Sequence, residues 1–209
     1  MPAKVNEREY RDFTLAVIEA PDTDDNNNRI VRGYASTFNQ PYTLYSDDVL
    51  EIREQVAPEA FKDADMSDVI MQYDHEGRVF ARMSNGTLKV APDEEGLSIE
   101  ADLGHTEIGR QLYEEIKGGY TTKMSYGYIV SDAKWDRAKV DGKDIQTRTI
   151  TGIKKVFDVS AVSLPANNAT SISVRKLTDG VIEELEAERL KALELERRRT
   201  LLKIKTMEV

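Results

Sequence analysis

The chemistry open to this chain is narrow. The sequence has no cysteine and two histidines, His75 and His105. Disulfide frameworks, thiolate catalysis and cysteine-type zinc sites are therefore excluded. A general base working near neutral pH is most simply one of the two imidazoles, with a shifted carboxylate or lysine as the other route. His75 stands between two carboxylates, in Asp74-His75-Glu76, at the end of an apolar run. His105 follows Gly104 and opens a predicted helix. Taken alone, each reads more readily as a structural histidine than as a base.

Two further residues complete an inventory. Ser125 lies in Lys123-Met124-Ser125-Tyr126-Gly127-Tyr128, a small hydroxyl among large side chains, two positions before a glycine. Glycine inside a strand often marks a bulge or the close approach of another group. The rival reading is a serine packed where the sheet leaves little room. The sequence around it is not the Gly-x-Ser-x-Gly elbow of the α/β-hydrolases. Asp158 lies in Val156-Phe157-Asp158-Val159-Ser160-Ala161-Val162. A carboxylate in such a run is costly to bury unless it is hydrogen-bonded, and a histidine N–H would satisfy it. An edge-strand aspartate facing water is the alternative. Together the three supply an alcohol, an imidazole and an acid, the parts of a hydroxyl nucleophile activated by an oriented base. Sequence spacing does not show that they meet.

The elements that must position them are mostly strands. Phe13 to Ile18 and Ile30 to Phe38 read as strands, with the polar loop Pro21–Asn28 between them. Residues 39 to 55 look irregular, and Pro58 to Ala64 can start a short helix. Asp68 to Tyr73 is a short apolar run leading to His75. Thr87–Ala91 and Leu97–Leu103 form a hairpin around Asp93-Glu94-Glu95-Gly96, with strict alternation in its second strand. Thr106 to Lys117 reads as a helix, capped by Thr106 and ended by Gly118-Gly119. In Thr122–Val130, Ser125 and Gly127 share one face and Met124, Tyr126 and Tyr128 the other. A charged loop is expected over Ser131–Thr147, then a long strand over Thr149–Leu164, bent at Gly152, and a last short strand over Ser171–Val174. From Thr178 the chain holds no proline and only Gly180. Ile182, Leu193 and Ile204 recur along it, with acidic residues early and basic residues late. That order complements a helix dipole and predicts one long, charged amphipathic helix. The whole is an α+β, β-rich chain, a sandwich or barrel.

Composition bounds the partners. The net charge of −9 argues against a nucleic-acid binder held by phosphate contacts. No run approaches the roughly eighteen apolar residues of a membrane span, and the first residues lack a secretory signal. A cytoplasmic site of action is the default expectation.

Several segments, in order, resemble the prohead serine proteases of tailed bacteriophages. They are Arg32-Gly33-Tyr34-Ala35-Ser36-Thr37-Phe38-Asn39, Ala57-Pro58-Glu59-Ala60-Phe61, Tyr73-Asp74-His75-Glu76, Met124-Ser125-Tyr126-Gly127-Tyr128, and Phe157 through Asn167. The likeness runs from about residue 30 to about residue 175, and the ordered set is far more specific than any one piece. It implies Ser125 as nucleophile, His75 as base and Asp158 as third member. His105 precedes the serine, unlike the second histidine of the similar herpesvirus assemblins. The sequence departs from the family pattern at Asp74, where Asn or Gln is more usual, at Glu59, and in the loop Tyr42–Asp48.

The resemblance further implies an assemblin-like β-barrel core with surrounding helices, to which the long charged C-terminal helix is added. The expected organisation is an N-terminal strand and polar loop over 1–29, a protease domain over 30–177, and the C-terminal helix over 178–209. The implied activity is a serine endopeptidase that cleaves scaffold segments of the major capsid protein, and itself, inside the assembling prohead in the host cytoplasm. The expected partners are that capsid protein, its scaffold segment, and the chain itself, as autoproteolysis target or homo-oligomer; nucleic acid and membrane are not expected. No cofactor and no metal are expected. An oxyanion site is expected near Leu164-Pro165-Ala166-Asn167. The rival function is a noncatalytic scaffold or capsid-assembly protein that retains the fold. A metal hydrolase using both histidines fits poorly, because neither lies in a zinc-binding helix motif.

Overall fold

The structure is a computed structural model and describes residues 8–13, 18–19, 29–163 and 197–198. In chain order the strands are β1 (Glu9–Phe13), β2 (Ile18–Glu19), β3 (Ile30–Thr37), β4 (Tyr42–Ser46), β5 (Leu50–Val56), β6 (Ile70–Tyr73), β7 (Glu76–Arg82), β8 (Leu88–Pro92) and β9 (Gly96–Asp102). Helix α1 (Glu107–Lys117) follows, then β10 (Lys123–Val140) and β11 (Lys143–Val162). Single 3-10 turns cover Pro58–Phe61 and Met83–Asn85.

Two sheets result. The larger has the order β1-β10-β11-β5-β4, with β6 on β11 and β7 on β6. The smaller runs β2-β3-β9-β8. The spine of the larger sheet is the β10–β11 hairpin, closed by Asp141 and Gly142, both in the left-handed region at φ 51° and 87°. Two consecutive positive φ values suit a tight hairpin turn, and Asp-Gly is a favoured pair for it. One edge of β11 is shared between two parallel partners. Its first part takes β5, from Asp144↔Leu50 to Ile150↔Val56. Its last part takes β6, from Asp158↔Ile70 to Ala161↔Tyr73.

The core-facing residues of both sheets form one cluster. Val31, Ala35, Leu97 and Ile99 come from the smaller sheet, and Met71, Met124, Tyr126, Tyr128, Val159 and Ala161 from the larger. Tyr126 stacks on Tyr128 with centroids 4.3 Å apart and meets Phe61 at 6.0 Å. Leu112, Tyr113 and Ile116 of α1 join the same cluster. The Thr106 hydroxyl accepts from Gly109 N–H at 3.0 Å, a cap that contributes about 1 kcal/mol.

The expected assemblin-like barrel is corrected by this topology. Both sheets are open among the described residues, with β1, β4 and β7 ending the larger and β2 and β8 ending the smaller. Closure needs the terminal strands to hydrogen-bond to each other. Here β11 carries a different strand on each part of one edge, so the sheet forks instead of curling. The expected surrounding helices are also absent: α1 is the one α-helix of the 29–163 span. No long C-terminal helix is seen; residues 178–209 lie outside the described residues apart from Arg197 and Arg198, which are helical. The strand expected at Ser171–Val174 likewise lies outside them. Residues 39–55, read as irregular, contain β4 and β5. The loop expected over 131–147 is the outer part of the β10–β11 hairpin.

A buried ionic group pins the middle of the larger sheet. Arg148 stands beside Glu54 across β11–β5 and donates to it at 2.8 Å; their side chains are 2% and 0% exposed. The same guanidinium reaches Glu9 of β1 at 3.0 Å. The Tyr42 hydroxyl of β4 donates to Glu54 from the other side. Removing one partner of a buried pair leaves an uncompensated charge. Arg148→Met should lower stability by about 3–5 kcal/mol in urea unfolding, and the double variant with Glu54→Leu should recover part of that loss.

Candidate functional site

The site is assembled by three neighbouring strands of the larger sheet. In the β10–β11 ladder Ser125 lies opposite Ser160, and Gly127 opposite Asp158. Directly opposed residues and residues two apart share a face. Ser125, Gly127, Asp158 and Ser160 therefore lie on the face opposite Met124, Tyr126 and Val159, which enter the core. On the other side of β11, β6 brings Tyr73 level with Ala161. The chain then turns sharply through Asp74 and His75 into β7.

That turn sets the imidazole. Asp74 and His75 both have positive φ, 48° and 60°, and Tyr73 pairs with Glu76 across them. Each non-glycine residue in this region costs roughly 1 kcal/mol or more, so the turn needs external support. Asp74 provides it at the tip. Its carboxylate accepts from the Ser163 N–H at 2.9 Å and the Ser163 hydroxyl at 2.8 Å. The Asp74 N–H donates to the Ala161 carbonyl at 3.0 Å. At the base of the hairpin, Asp68 accepts from Arg82 Nε at 2.9 Å and from Ser84 N–H at 3.2 Å. Chiefly through the Arg82 hydrogen bonds, the Asp68 carboxyl is lowered to about 2. Its stabilising effect is thus present above the ordinary carboxylate range and fades as pH falls towards that value.

The three side chains singled out in the sequence come together. His75 Nε2 lies 2.5 Å from Ser125 Oγ. His75 Nδ1 lies 2.5 Å from Asp158 Oδ2. Ser125 and Asp158 are fully buried, and the His75 side chain is 13% exposed. Asp158 has further donors. The Ser160 hydroxyl reaches Oδ2 at 3.0 Å, and the Arg8 guanidinium is bonded to Oδ1. His105 does not join this group; it is largely exposed and pairs with Asp102 at 3.0 Å. Residues 164–167, where an oxyanion site was expected, lie outside the described residues. Among the described residues no group of three or more His, Asp or Glu side chains is placed to hold a metal ion.

Several supporting residues are not evident from sequence alone. Ser160 has a usable signal, since Asp158 and Ser160 are two apart on a strand and must share a face. Gly127 signals a close approach, and what approaches is the Asp158 carboxylate: a Cβ there would sit 2.4 Å from Oδ1. Asp74 stands out in the sequence only as a departure from a pattern. Arg8 lies 150 residues from its partner and leaves no local signal.

An alcohol hydrogen-bonded to an imidazole, itself hydrogen-bonded to a buried acid, is the equipment of the serine peptidases. Comparison with known families is more specific. The model of the caudovirus prohead serine proteases matches residues 16–183, and the chain belongs to that family. It is thus a prohead serine protease with a role in capsid maturation, and the family implies interaction with capsid proteins within the assembling prohead. No curated protein and no solved structure matches the chain.

Two variants test the architecture of the site. Gly127→Ala should displace the Asp158 carboxylate and lower proteolytic rate by on the order of 10²-fold, with the melting transition still cooperative; an unchanged rate would show that the carboxylate needs no such room. Asp74→Ala should cost about 1–2 kcal/mol in urea unfolding. Asp74→Asn, which keeps an acceptor and tolerates this backbone, should cost less than half as much.

Proposed function

We propose that the chain is a Ser-His-Asp endopeptidase in which Ser125 is the nucleophile, His75 the general base and Asp158 the residue that orients it. The observation that carries this reading is the unbroken line from Ser125 Oγ through both ring nitrogens of His75 to Asp158 Oδ2, with 2.5 Å at each junction. The Ser125 hydroxyl proton passes to His75 Nε2 as Oγ attacks the scissile carbonyl carbon. Asp158 holds Nδ1 in its protonated form and stabilises the imidazolium. The imidazolium then gives the proton to the leaving amine, and an acyl-enzyme remains on Ser125. Water, deprotonated by His75, attacks the ester and releases the acid.

The substrates in this reading are the scaffold segment of the major capsid protein and the protease itself. Both would be packed beside the enzyme in one shell, where confinement raises the effective concentration and little intrinsic affinity is required. The protease domain is read as residues 30–177, with the N-terminal strand as part of its sheet.

Co-expression of the chain with its capsid protein tests the assignment. Wild type should trim the capsid protein, and Ser125→Ala should leave it at full length, with a rate loss of at least about 10⁴-fold. Normal trimming by a folded Ser125→Ala variant would rule out Ser125 as the nucleophile.

A further inference from the structure

Asp158 has two carboxylate oxygens, and the proton line uses only one. Oδ2 faces His75 and Ser160. Oδ1 is held by the guanidinium of Arg8, which precedes β1. Two further contacts give that guanidinium a defined place. Its central carbon lies 4.5 Å from the centroid of the Phe157 ring, a favourable position for a cation over an aromatic face. It also passes through the space that Gly127 leaves open. A Cβ at 127 would come within 2.8 Å of Arg8 Nε and 2.9 Å of Nη2.

The strand that delivers Arg8 is itself fixed beside the nucleophile. β1 runs along β10 with Glu9 opposite Tyr128, Tyr10 opposite Gly127 and Asp12 opposite Ser125. Glu9, the next residue after Arg8, pairs with the buried Arg148 at 3.0 Å. Adjacent residues of one segment thus reach two buried ionic centres of the same sheet.

We propose that Arg8 is a positioning residue for the catalytic line, and that the site is complete only when the N-terminal strand is docked on β10. The inference rests on reading Ser125, His75 and Asp158 as the triad. Holding Oδ1 fixes the rotation of the carboxylate, so Oδ2 stays aimed at His75 Nδ1. The guanidinium also offsets part of the carboxylate's charge. Its removal should make Asp158 a stronger partner for a protonated imidazole and extend that form to higher pH. The other charged residues on the elements around His75 are Asp74, Glu76, Arg78 and Arg82 on its own hairpin, Glu9, Arg11 and Asp12 on β1, Lys123 on β10, and Lys154 and Lys155 on β11. Asp74 is bonded to Ser163, and Lys155 to Asp65 at 2.7 Å. Arg8→Gln alters none of these residues, so its comparison with wild type changes one charge.

The test uses the full chain as wild type, Arg8→Gln, Arg8→Lys and Ser125→Ala. The rate of Ser125 labelling by a phosphonate activity probe is followed against pH, and the imidazole resonances of the two histidines are titrated by NMR. Arg8→Gln keeps part of the stem over Phe157 but loses the charge. Its acid limb should move to higher pH, with labelling at least several-fold slower. Arg8→Lys should keep the wild-type acid limb while labelling more slowly, since an ammonium lacks the planar fork. A folded Arg8→Gln with its acid limb unmoved, however slow, would overturn the proposal. So would a displaced limb in Arg8→Lys, which decides the matter by itself if Arg8→Gln fails to fold. A wild-type chain that does not label, or a Ser125→Ala variant that does, would instead count against the triad. The NMR titration would still read the link between Arg8 and His75.

Discussion

A carboxylate with no exposure to solvent must find hydrogen-bond donors inside the protein, or the fold does not keep it charged. Asp158 is such a group, and its donors come from parts of the chain that are far apart. His75 arrives on the β6–β7 turn, Arg8 at the start of β1, and Ser160 from the same strand. Around this one requirement the larger sheet takes its shape. β6 must pair with the last part of β11 to put His75 beside Oδ2, and β1 must pair with β10 to bring in Arg8. Position 127 must be glycine, because the carboxylate and the guanidinium fill the volume that a side chain would occupy. The same forked pairing that serves Asp158 keeps the sheet from closing into a barrel.

The second buried ionic centre follows the same logic further along the sheet. Tyr42, Glu54 and Arg148 sit side by side on β4, β5 and β11, so a single row crosses three strands. Glu9 brings β1 to the same guanidinium. Buried ion pairs are poor sources of net stability, since desolvation offsets most of the attraction. Their effect is on alternatives: any slip of β5 against β11 by one residue would separate Glu54 from Arg148 and bury both charges alone. Register is otherwise weakly specified here, because the outer part of the hairpin is exposed and charged and presents no continuous apolar face.

What is legible in the sequence follows from these physical differences. The β8–β9 hairpin and helix α1 are readable because each has a local signal: strict alternation around a turn, and a capped helix with an apolar stripe. The three central side chains are readable as an inventory, and the ordered segments around them point to the family. The outer half of the β10–β11 hairpin reads as a loop, since Asp132 to Lys139 alternate charge with little apolar contrast; Trp135 packs on Ile52 in a small separate cluster. Asp141-Gly142 is the signal to weigh there. β5 is hidden because it pairs in parallel with a strand almost a hundred residues later, which no local window contains, and β4 is held in turn by antiparallel pairing to β5. The strand pattern left sandwich and barrel both open, the barrel was preferred from likeness, and likeness does not specify how strand edges are shared.

Substrate access follows from the neighbours of the serine. Ser125 has β1 on one side, through Asp12, and β11 on the other, through Ser160. Both edges of its strand are taken, so an extended peptide cannot add to the sheet next to Ser125. It must meet Oγ from the face of the sheet, where the His75 turn already lies. An imidazole carried on a tight turn and braced at tip and base can hold its place against that face without a covering helix. The support that a packed helix would give to an imidazole elsewhere is supplied here by Asp74 on Ser163 and Asp68 on Arg82. The bonds at both ends of the hairpin then help to keep the His75 imidazole, in strained backbone geometry, at hydrogen-bonding distance from an alcohol on a different strand.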